Sequence, residues 1–210
     1  MSRRTVWWAL AATVALAGAA VGVAVTRTAG GGHIPRGYRG SLAVVAEPLP
    51  DFALRDQDGR LVRTADLRGR VTVLTFLDTR CTESCPIIAA QIARTLDKLG
   101  SVDRTRVTAV AISVDPASDT PARIHVFLRR NHAEGGLRYL SGPEPLLRPL
   151  WREFHILSAV DSGDADTHSA PVRIYGRDGD WLATQRPGSD LSPDNLAHDV
   201  RLALGGGPRD

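Results

Sequence analysis

The segment of residues 71–86 constrains the fold of this chain more strongly than any other. Residues 71–77 are apolar apart from two threonines and rich in β-branched side chains, which is typical of a strand buried on both faces. The only two cysteines of the chain, Cys81 and Cys85, follow a polar corner. Apolar residues then recur with the spacing of one helix face, at Ile87, Ile88, Ile92, Leu96 and Leu99. The segment therefore predicts a buried strand, a loop with both cysteines, and a helix whose first residue is Pro86.

Both cysteines are placed where a thiol ionises easily. The N-terminus of a helix gathers free N–H groups and the positive end of the helix dipole, and Arg80 precedes the first cysteine. A spacing of four residues puts both sulfurs on one helix face, where Cα atoms can come within the disulfide range of about 4.4–6.8 Å. The pair can therefore hold one metal ion or close reversibly into a disulfide. Two buried structural cysteines, or one inert disulfide, are the alternatives that remain open.

An uncharged stretch of twenty residues, 6–25, follows Arg3 and Arg4 at the N-terminus. Its length matches the hydrocarbon core of a bilayer, whereas the apolar core of a cleaved signal peptide has about 7–15 residues. We therefore expect residues 1–25 to form a cytoplasmic tip and a membrane anchor. A signal peptide cleaved near Ala17-Gly18-Ala19 is the alternative. With an anchor, the arginines stay in the cytoplasm and the rest of the chain lies on the extracytoplasmic side.

The remaining chain divides by composition. Residues 26–45 are rich in Gly and Arg without helical or strand periodicity, and they predict a flexible linker. Residues 46–206 are long enough for one domain with its own core, and residues 207–210 form a tail.

The charge pattern excludes several classes of function. The net charge is +3, and the basic residues form no cluster, so we expect no nucleic-acid binding. Lys98 is the only lysine among the 26 basic residues, which leaves little scope for lysine catalysis. The sequence has no Gly-x-Ser-x-Gly motif of serine hydrolases, and its Gly-rich segments lie in the linker and the tail rather than in a phosphate-binding loop.

Strand and helix patterns alternate along the domain. A hairpin comes first, over residues 50–54 and 60–63. Buried strands at 71–77, 107–114 and 137–140 then alternate with helices at 86–99, 121–132 and 143–154. A second hairpin at 172–175 and 181–184 and a helix at 193–204 close the chain. Thr120-Pro121 and Ser192-Pro193 predict capped helix starts, and Leu146 is expected to face inward from its helix. This order predicts an α/β fold, a thioredoxin-like mixed sheet flanked by helices, with an N-terminal β-hairpin extension and an N-terminal transmembrane helix. The cysteines then lie at the carboxyl end of the first long strand, where such sheets place their chemistry.

One of the six histidines is placed to join the cysteines. His168 lies in the loop before the closing hairpin, which passes beside the cysteine loop in a thioredoxin-like sheet. The helical histidines are expected to be ordinary surface or half-buried side chains, and His33 in the linker is assigned no role; the helical ones are His125, His132 and His198. The acidic residues 161, 164 and 166 lack the glycine and the bidentate Glu of an EF-hand, so we expect a solvated loop there.

An ordered set of short motifs resembles the Sco (SenC) family. The motifs are Pro50-Asp51-Phe52, Asp56-Gln57-Asp58-Gly59, Asp66-Leu67-Arg68-Gly69, Cys81-x-x-x-Cys85-Pro86, Ile112-Ser113-Val114-Asp115-Pro116, Asp119-Thr120-Pro121 and His168-Ser169. Each is weak alone, but their order and spacing over about residues 47–204 are specific. The chain departs from the family in two places. Thr82-Glu83-Ser84 stands where many relatives have Pro-Asp-Val, and Asp78 replaces an aromatic residue.

The resemblance implies a membrane-anchored, thioredoxin-like protein that helps to assemble the dinuclear copper site of cytochrome c oxidase. It implies a copper site made of Cys81, Cys85 and His168, with Asp115 in a supporting role. The ligand types agree, because two thiolates and an imidazole suit Cu(I) and resemble the Cys/His sites of Cu(II). Zinc also fits by ligand type and would need a fourth donor, such as Glu83 or water.

The leading hypothesis is a copper metallochaperone that carries Cu(I) and/or Cu(II). Its partners would be the copper-receiving subunit of cytochrome c oxidase and other copper carriers or thiol reductants. It would be a single-pass protein of the cell membrane, held through residues 6–25, with its C-terminal domain on the extracytoplasmic side.

The alternative is an enzyme, an extracytoplasmic thiol-disulfide oxidoreductase that reduces the cysteines of the oxidase copper site. Its catalytic redox pair would be Cys81 and Cys85. A peroxide-reducing enzyme on the same fold is a weaker third hypothesis, because the chain has no third cysteine to resolve the reaction.

Overall fold

The computed structural model describes residues 37–45 and 47–205 of the chain. The predicted anchor at residues 6–25 and His33 lie outside this part. Within the described residues, no helix combines the length and the apolar character that crossing a membrane requires.

A six-stranded mixed sheet forms the centre of the fold. Its strands, in the order in which they lie side by side, are β1 (Ser41–Leu42), β8 (Trp181–Gln185), β7 (Val172–Tyr175), β4 (Val71–Leu77), β5 (Val107–Ser113) and β6 (Leu137–Leu140). Strands β4, β5 and β6 are parallel, and Val71 is paired with Val107. Strand β7 runs antiparallel to β4, and β8 runs antiparallel to both β7 and β1. The predicted thioredoxin-like mixed sheet is confirmed.

Seven helices surround the sheet in the described part of the chain. They are α1 (Thr64–Leu67), α2 (Ser84–Lys98), α3 (Gly100–Arg104), α4 (Pro121–Arg130), α5 (Glu144–Glu153), α6 (Ala159–Ser162) and α7 (Pro193–Ala203). The predicted caps of α4 and α7 are confirmed, because the Thr120 and Ser192 hydroxyls each accept a bond from a first-turn N–H group. A proline follows each cap at the first helical position.

The central strands are buried because helices cover both faces of the sheet. All seven residues of β4 are buried. Helices α2 and α4 connect parallel strands that advance in one direction, so right-handed crossovers put both on one face. There they pack with α7 on alternate residues of β4, such as Val73 and Leu77. Helix α5 leads the chain back to β7, on the other side of β4, and it covers Leu74 and Phe76 on the opposite face.

The predicted N-terminal hairpin is confirmed as a separate two-stranded sheet. Its strands are β2 (Ala53–Arg55) and β3 (Leu61–Arg63), joined through a turn in which Gly59 has a φ of 77°. Leu54 and Val62 point into the same core as α5. A bridge between Arg55 and Ser141 ties the hairpin to the residue that follows β6.

Two predicted features of the helices are wrong in detail. Helix α2 begins at Ser84, so Pro86 is its third residue; the first four N–H groups of a helix have no partner within it, and proline is therefore tolerated throughout the first turn. Ile87 and Leu146, both predicted to face inward, are 53% and 55% exposed. Each precedes a fully buried residue, and one residue turns a helix by about 100°, which carries the side chain off the core face.

The folded domain begins before residue 46, inside the predicted linker. The main-chain N–H groups of Arg39 and Gly40 donate to the carboxylate of Asp199, at 2.7 and 2.9 Å. Asp199 is fully buried and also accepts a 2.7 Å bond from the Gln185 amide. Strand β1 follows directly and covers the edge of β8. Composition did not reveal this segment because the hydrogen bonds to Asp199 come from main-chain groups, which nearly every residue carries.

Candidate metal centre

The two cysteines lie at the carboxyl end of β4, as predicted. Cys81 belongs to the loop after the strand, and Cys85 is the second residue of α2. The residues are 3% and 0% exposed, and they are not linked by a disulfide.

The sulfur of Cys81 takes the place of a helix cap. Glu83, at the cap position of α2, makes no side-chain capping bond. Instead the N–H group of Cys85 points at the Cys81 sulfur, 3.3 Å away. Hydrogen bonding from the Cys85 side chain, more than any other cause, lowers the pKa of Cys81 to about 4. The pKa of the Cys85 thiol is shifted in the opposite direction, because hydrogen bonding to the Cys81 sulfur and burial both raise it. In the metal-free pair, Cys85 therefore keeps its proton and Cys81 is the thiolate.

His168 completes a group of three donor atoms. It comes from the loop between α6 and β7, and its Nε2 lies 3.1 Å from the Cys85 sulfur. The nearest donor atoms of Cys81, Cys85 and His168 all lie within 4.8 Å of one another. The other ring nitrogen, Nδ1, is 3.3 Å from the carbonyl oxygen of Ser169. Because a carbonyl only accepts, this contact places the ring proton on Nδ1 and leaves the Nε2 lone pair facing the sulfurs.

The charge state of the imidazole depends on two opposing effects. Burial, the largest single cause, lowers the pKa of His168. The hydrogen bonds to Cys81 and to the Ser169 main chain, with the negative charges of Cys81 and Asp78, together outweigh burial, and the net pKa is raised. A protonated ring would stabilise the thiolate beside it, and a neutral ring offers a ligand. The same three residues can therefore keep a metal-free thiolate or bind a soft metal.

Asp166 joins the histidine loop to the cysteine loop, and it was not among the predicted site residues. Its Oδ1 accepts bonds from the N–H groups of Thr82 and Glu83, at 2.7 and 3.3 Å. Its Oδ2 accepts a 3.2 Å bond from the Thr82 hydroxyl. These bonds, led by that from the Thr82 N–H, lower the pKa of Asp166. The expectation of a solvated acidic loop missed this role, because the partners are main-chain groups 83 and 84 residues away.

A buried acidic layer lies behind the cysteines. Asp78 is fully buried, its main-chain N–H points at the Cys85 sulfur from 3.5 Å, and burial raises its pKa to about 6. Asp119 accepts bonds from Thr79 N–H at 2.9 Å and from the Ser113 hydroxyl at 2.6 Å.

Asp115 lies in this layer and not in the donor group. Its carboxylate binds the guanidinium of Arg80, the residue before Cys81. The supporting role of Asp115 stays a prediction, and this ion pair is the contact through which it would act.

The other histidines of the described part of the chain and Glu83 do not enter the donor group. His125 lies at ion-pair distance from Asp58 and Glu134, and His198 contacts the carbonyl of Gly37 at 3.0 Å. Among the described residues, no fourth Cys, His, Asp or Glu joins the three donors.

Comparison with known proteins identifies the group to which this domain belongs. The model of the SCO1/SenC family matches residues 44–205. The chain belongs to the SCO1/SenC family. An SCO1 homologue of Bacillus subtilis is 32% identical over 156 residues, which cover 72% of this chain and 80% of that protein.

Further members of the SCO1/SenC family differ in length or are known in three dimensions. The mitochondrial SCO1 homolog 1 of Arabidopsis thaliana is 30% identical over 105 residues, half of this chain, and the match spans only 31% of that longer protein. The structure of Bradyrhizobium japonicum ScoI with copper bound is 27% identical and superposes with a TM-score of 0.64, covering 75% of this chain and 100% of that one.

Proposed function

We propose that this chain is a copper metallochaperone that binds copper through Cys81, Cys85 and His168. It delivers the ion to the copper-receiving subunit of cytochrome c oxidase. The observation that carries the proposal is the convergence of the three donor atoms within 4.8 Å of one another, from segments more than 80 residues apart. Copper is the cargo of this protein rather than a resident cofactor.

The donor set favours copper over zinc. Two thiol sulfurs and one imidazole nitrogen suit Cu(I), which binds soft ligands, whereas structural zinc sites are almost always completed by four protein donors. Glu83, the fourth donor considered for zinc, is absent from the group of described donors. Cys81 is already a thiolate at neutral pH, so little is lost by deprotonation when the metal binds.

The site is built in two halves that can separate. Cys81 and Cys85 are fixed by the end of β4 and the first turn of α2, both of which belong to the main core. His168 stands on a loop whose attachment to the cysteine loop depends on the exposed contacts of Asp166. Opening of the loop removes one ligand and leaves two sulfurs, which supports transfer by ligand exchange.

The relatives support this proposal. The Bradyrhizobium ScoI, whose structure was solved with copper bound, shares the fold over the whole of its length. We further propose that residues 6–25 anchor the chain in the cell membrane with residues 46–206 outside the cytoplasm. Alkaline extraction of membranes tests this proposal, because an anchored chain stays in the pellet and a cleaved one is released.

A thiol-disulfide oxidoreductase is the second candidate, and the depressed pKa of Cys81 favours it. The Cys81 thiolate would attack a disulfide of the partner and form a mixed disulfide. Cys85, on losing its proton, would then attack the Cys81 sulfur, releasing the reduced partner and leaving a Cys81–Cys85 disulfide. Two electrons pass from the cysteine pair to the partner, and His168 is not needed as a ligand.

Anaerobic Cu(I) titration separates the two functions. The reduced full-length chain is titrated beside Cys85→Ser, His168→Ala and the control His155→Ala, whose ring is exposed and outside the donor group. A chaperone site binds one copper per chain, and Cys85→Ser and His168→Ala weaken binding while the control does not. If His168→Ala binds as tightly as the parent, His168 is no ligand. Reduction of a disulfide-containing oxidase fragment then becomes the decisive assay.

A further inference from the structure

A groove of about 720 Å³ lies on the Cys81 side of the metal centre. We call it the Cys81 groove, and it is lined chiefly by Arg80, Cys81, Arg123, Val126, Phe127 and Arg130. Of the three proposed ligands, only Cys81 lines it, whereas His168 lines a separate cleft beside Ser84 and Trp181. The groove therefore leads to the Cys81 side of the metal centre without passing the histidine loop.

One face of α4 forms the far wall of the groove. Arg123, Val126, Phe127 and Arg130 follow one another at intervals of three, one and three residues, which places them on a single face of the helix. The two arginines stand at the ends of this wall, and the two apolar side chains lie between them. Val126 is 38% exposed, so an apolar side chain between the two arginines is available to a partner.

Two of the three arginines that line the groove, Arg123 and Arg130, have no carboxylate partner among the described residues. Within residues 37–45 and 47–205, no carboxylate lines the groove, and neither Arg123 nor Arg130 has a carboxylate at ion-pair distance. By contrast, the next arginine on α4, Arg129, faces away and lies 3.7 Å from Glu134. Arg80, on the near wall, is held by the buried Asp115 and so presents its guanidinium in a fixed position.

We propose that the Cys81 groove docks an acidic segment of the protein that exchanges copper with this chain. The inference rests on the proposed function and adds the chemistry of the partner. Arg123 and Arg130 are seven residues apart on a helix, which is about 10 Å at 1.5 Å per residue. An extended segment rises about 3.3 Å per residue and its alternate side chains share one face, so two carboxylates spaced four residues apart, about 13 Å, point the same way and lie within reach of the two long arginine side chains. An apolar residue midway between them, on the same face, covers Val126.

The test uses the metal-free, reduced full-length chain in a neutral detergent and a fluorescein-labelled peptide. The peptide carries two glutamates four residues apart with a leucine midway between them, and serine in place of any cysteine, so that sulfur chemistry plays no part. A matched peptide has glutamine at both glutamate positions. Binding is followed by fluorescence anisotropy at low and at high salt.

Two double variants carry the same loss of charge. Arg123→Gln with Arg130→Gln removes the arginines of the groove, and Arg129→Gln with Arg152→Gln removes two exposed arginines outside it. We expect the groove variant to bind the glutamate peptide about tenfold more weakly at low salt and the control to stay within about twofold of the parent. The preference for glutamate over glutamine should shrink as salt screens the charges.

Several outcomes overturn the proposal. It fails if the parent does not prefer the glutamate peptide, or if both double variants weaken binding equally. It also fails if the groove variant loses only its binding to phosphatidylglycerol vesicles, because the arginines then contact lipid and not a protein partner. Cu(I) titration of the same variants keeps the two proposals distinct. A parent that binds copper but shows no peptide preference refutes the groove alone, and a parent that binds no copper refutes the chaperone function.

Discussion

Asp78 allows a quantitative test of how a buried charge beside the cysteines affects stability. Its side chain is fully buried, and its Oδ2 has no hydrogen-bond partner among the described residues. The Arg80 guanidinium lies 3.6 Å from that oxygen. Burial, the largest cause, raises the pKa of Asp78 to about 6. The folded chain therefore holds the proton of Asp78 more tightly than the unfolded chain does.

The cost of this carboxylate follows from the two pKa values. An aspartate of the unfolded chain has a pKa of about 3.9, and a difference of about two pKa units corresponds to about 3 kcal/mol. Because the folded-state pKa is the higher one, stability is greatest below about pH 4, falls as the pH rises toward about 6, and is constant above that. Arg80 is half-exposed, and the solvent around it screens part of the cost, so we expect about 1–2 kcal/mol.

Asp78→Asn keeps the shape of the side chain and the Oδ1 acceptor for the Arg80 N–H group. We expect the variant to be more stable than the parent by about 1–2 kcal/mol at about pH 8, which corresponds to a rise in Tm of about 2–8 °C. The gain should be only a small fraction of this at about pH 4, where Asp78 is protonated in the folded chain and about half protonated in the unfolded chain. Urea unfolding of the reduced, metal-free chain at the two pH values measures it.

The matched control is Asp51→Asn, which removes an exposed carboxylate and should change stability by less than about 0.5 kcal/mol. Two results would refute the reasoning. One is a variant less stable than the parent at the higher pH. The other is a gain of equal size at both pH values, which would show that charge is not its origin.

Three other predictions concern the site and its scaffold. Asp166→Ala removes the three bonds that hold the histidine loop and should weaken Cu(I) binding about tenfold, whereas Asp166→Asn should stay closer to the parent. Competition with a chromophoric Cu(I) chelator measures the affinity, and an unchanged affinity in Asp166→Ala would contradict the prediction. The rate of Cys81 alkylation by iodoacetamide should be nearly independent of pH between about 6 and 8 and should fall only near pH 4. Mass spectrometry of the alkylated chain measures the rate at each pH. A rate that falls about tenfold per pH unit below pH 8 would show that Cys81 is an ordinary thiol. Gly40→Ala should lower stability by about 1–3 kcal/mol, because the new Cβ would lie 2.6 Å from the carbonyl oxygen of Thr184. An unchanged midpoint of urea unfolding would show that the main chain moves aside to make room for the Cβ.

Elements with a strong local signal were predictable from the sequence. Strands β4 and β6 match their predicted bounds, because each is a short, largely apolar segment between polar or glycine-containing segments. The helix caps at Thr120 and Ser192 were also predictable, because a hydroxyl residue followed by proline is a local sequence pattern of helix starts. The cysteine pair was visible because its position at a strand end combines composition with periodicity.

Contacts that depend on the main chain were not predictable. Asp166 accepts hydrogen bonds from the main-chain N–H groups of Thr82 and Glu83. Because almost every residue has such an N–H group, the residue types at positions 82 and 83 do not indicate which acceptor they bind. His168 could be singled out from its loop and from the resemblance to the Sco (SenC) family, whereas its distance to the sulfurs required the folded chain. Ile87 shows a further limit, because a broad apolar face does not reveal which of its edges reaches the core.

The attachment of the N-terminal segment to Asp199 has a consequence for how such domains diverge. The donors are main-chain N–H groups, so any residue except proline can stand at position 39, whereas the close approach to Thr184 admits only glycine at position 40. A related protein could dock its own leading segment on the last helix in the same way with almost no shared residues. The family match starts at residue 44, just after these donors. An anchoring contact of this kind can persist through evolution while leaving hardly any trace in an alignment.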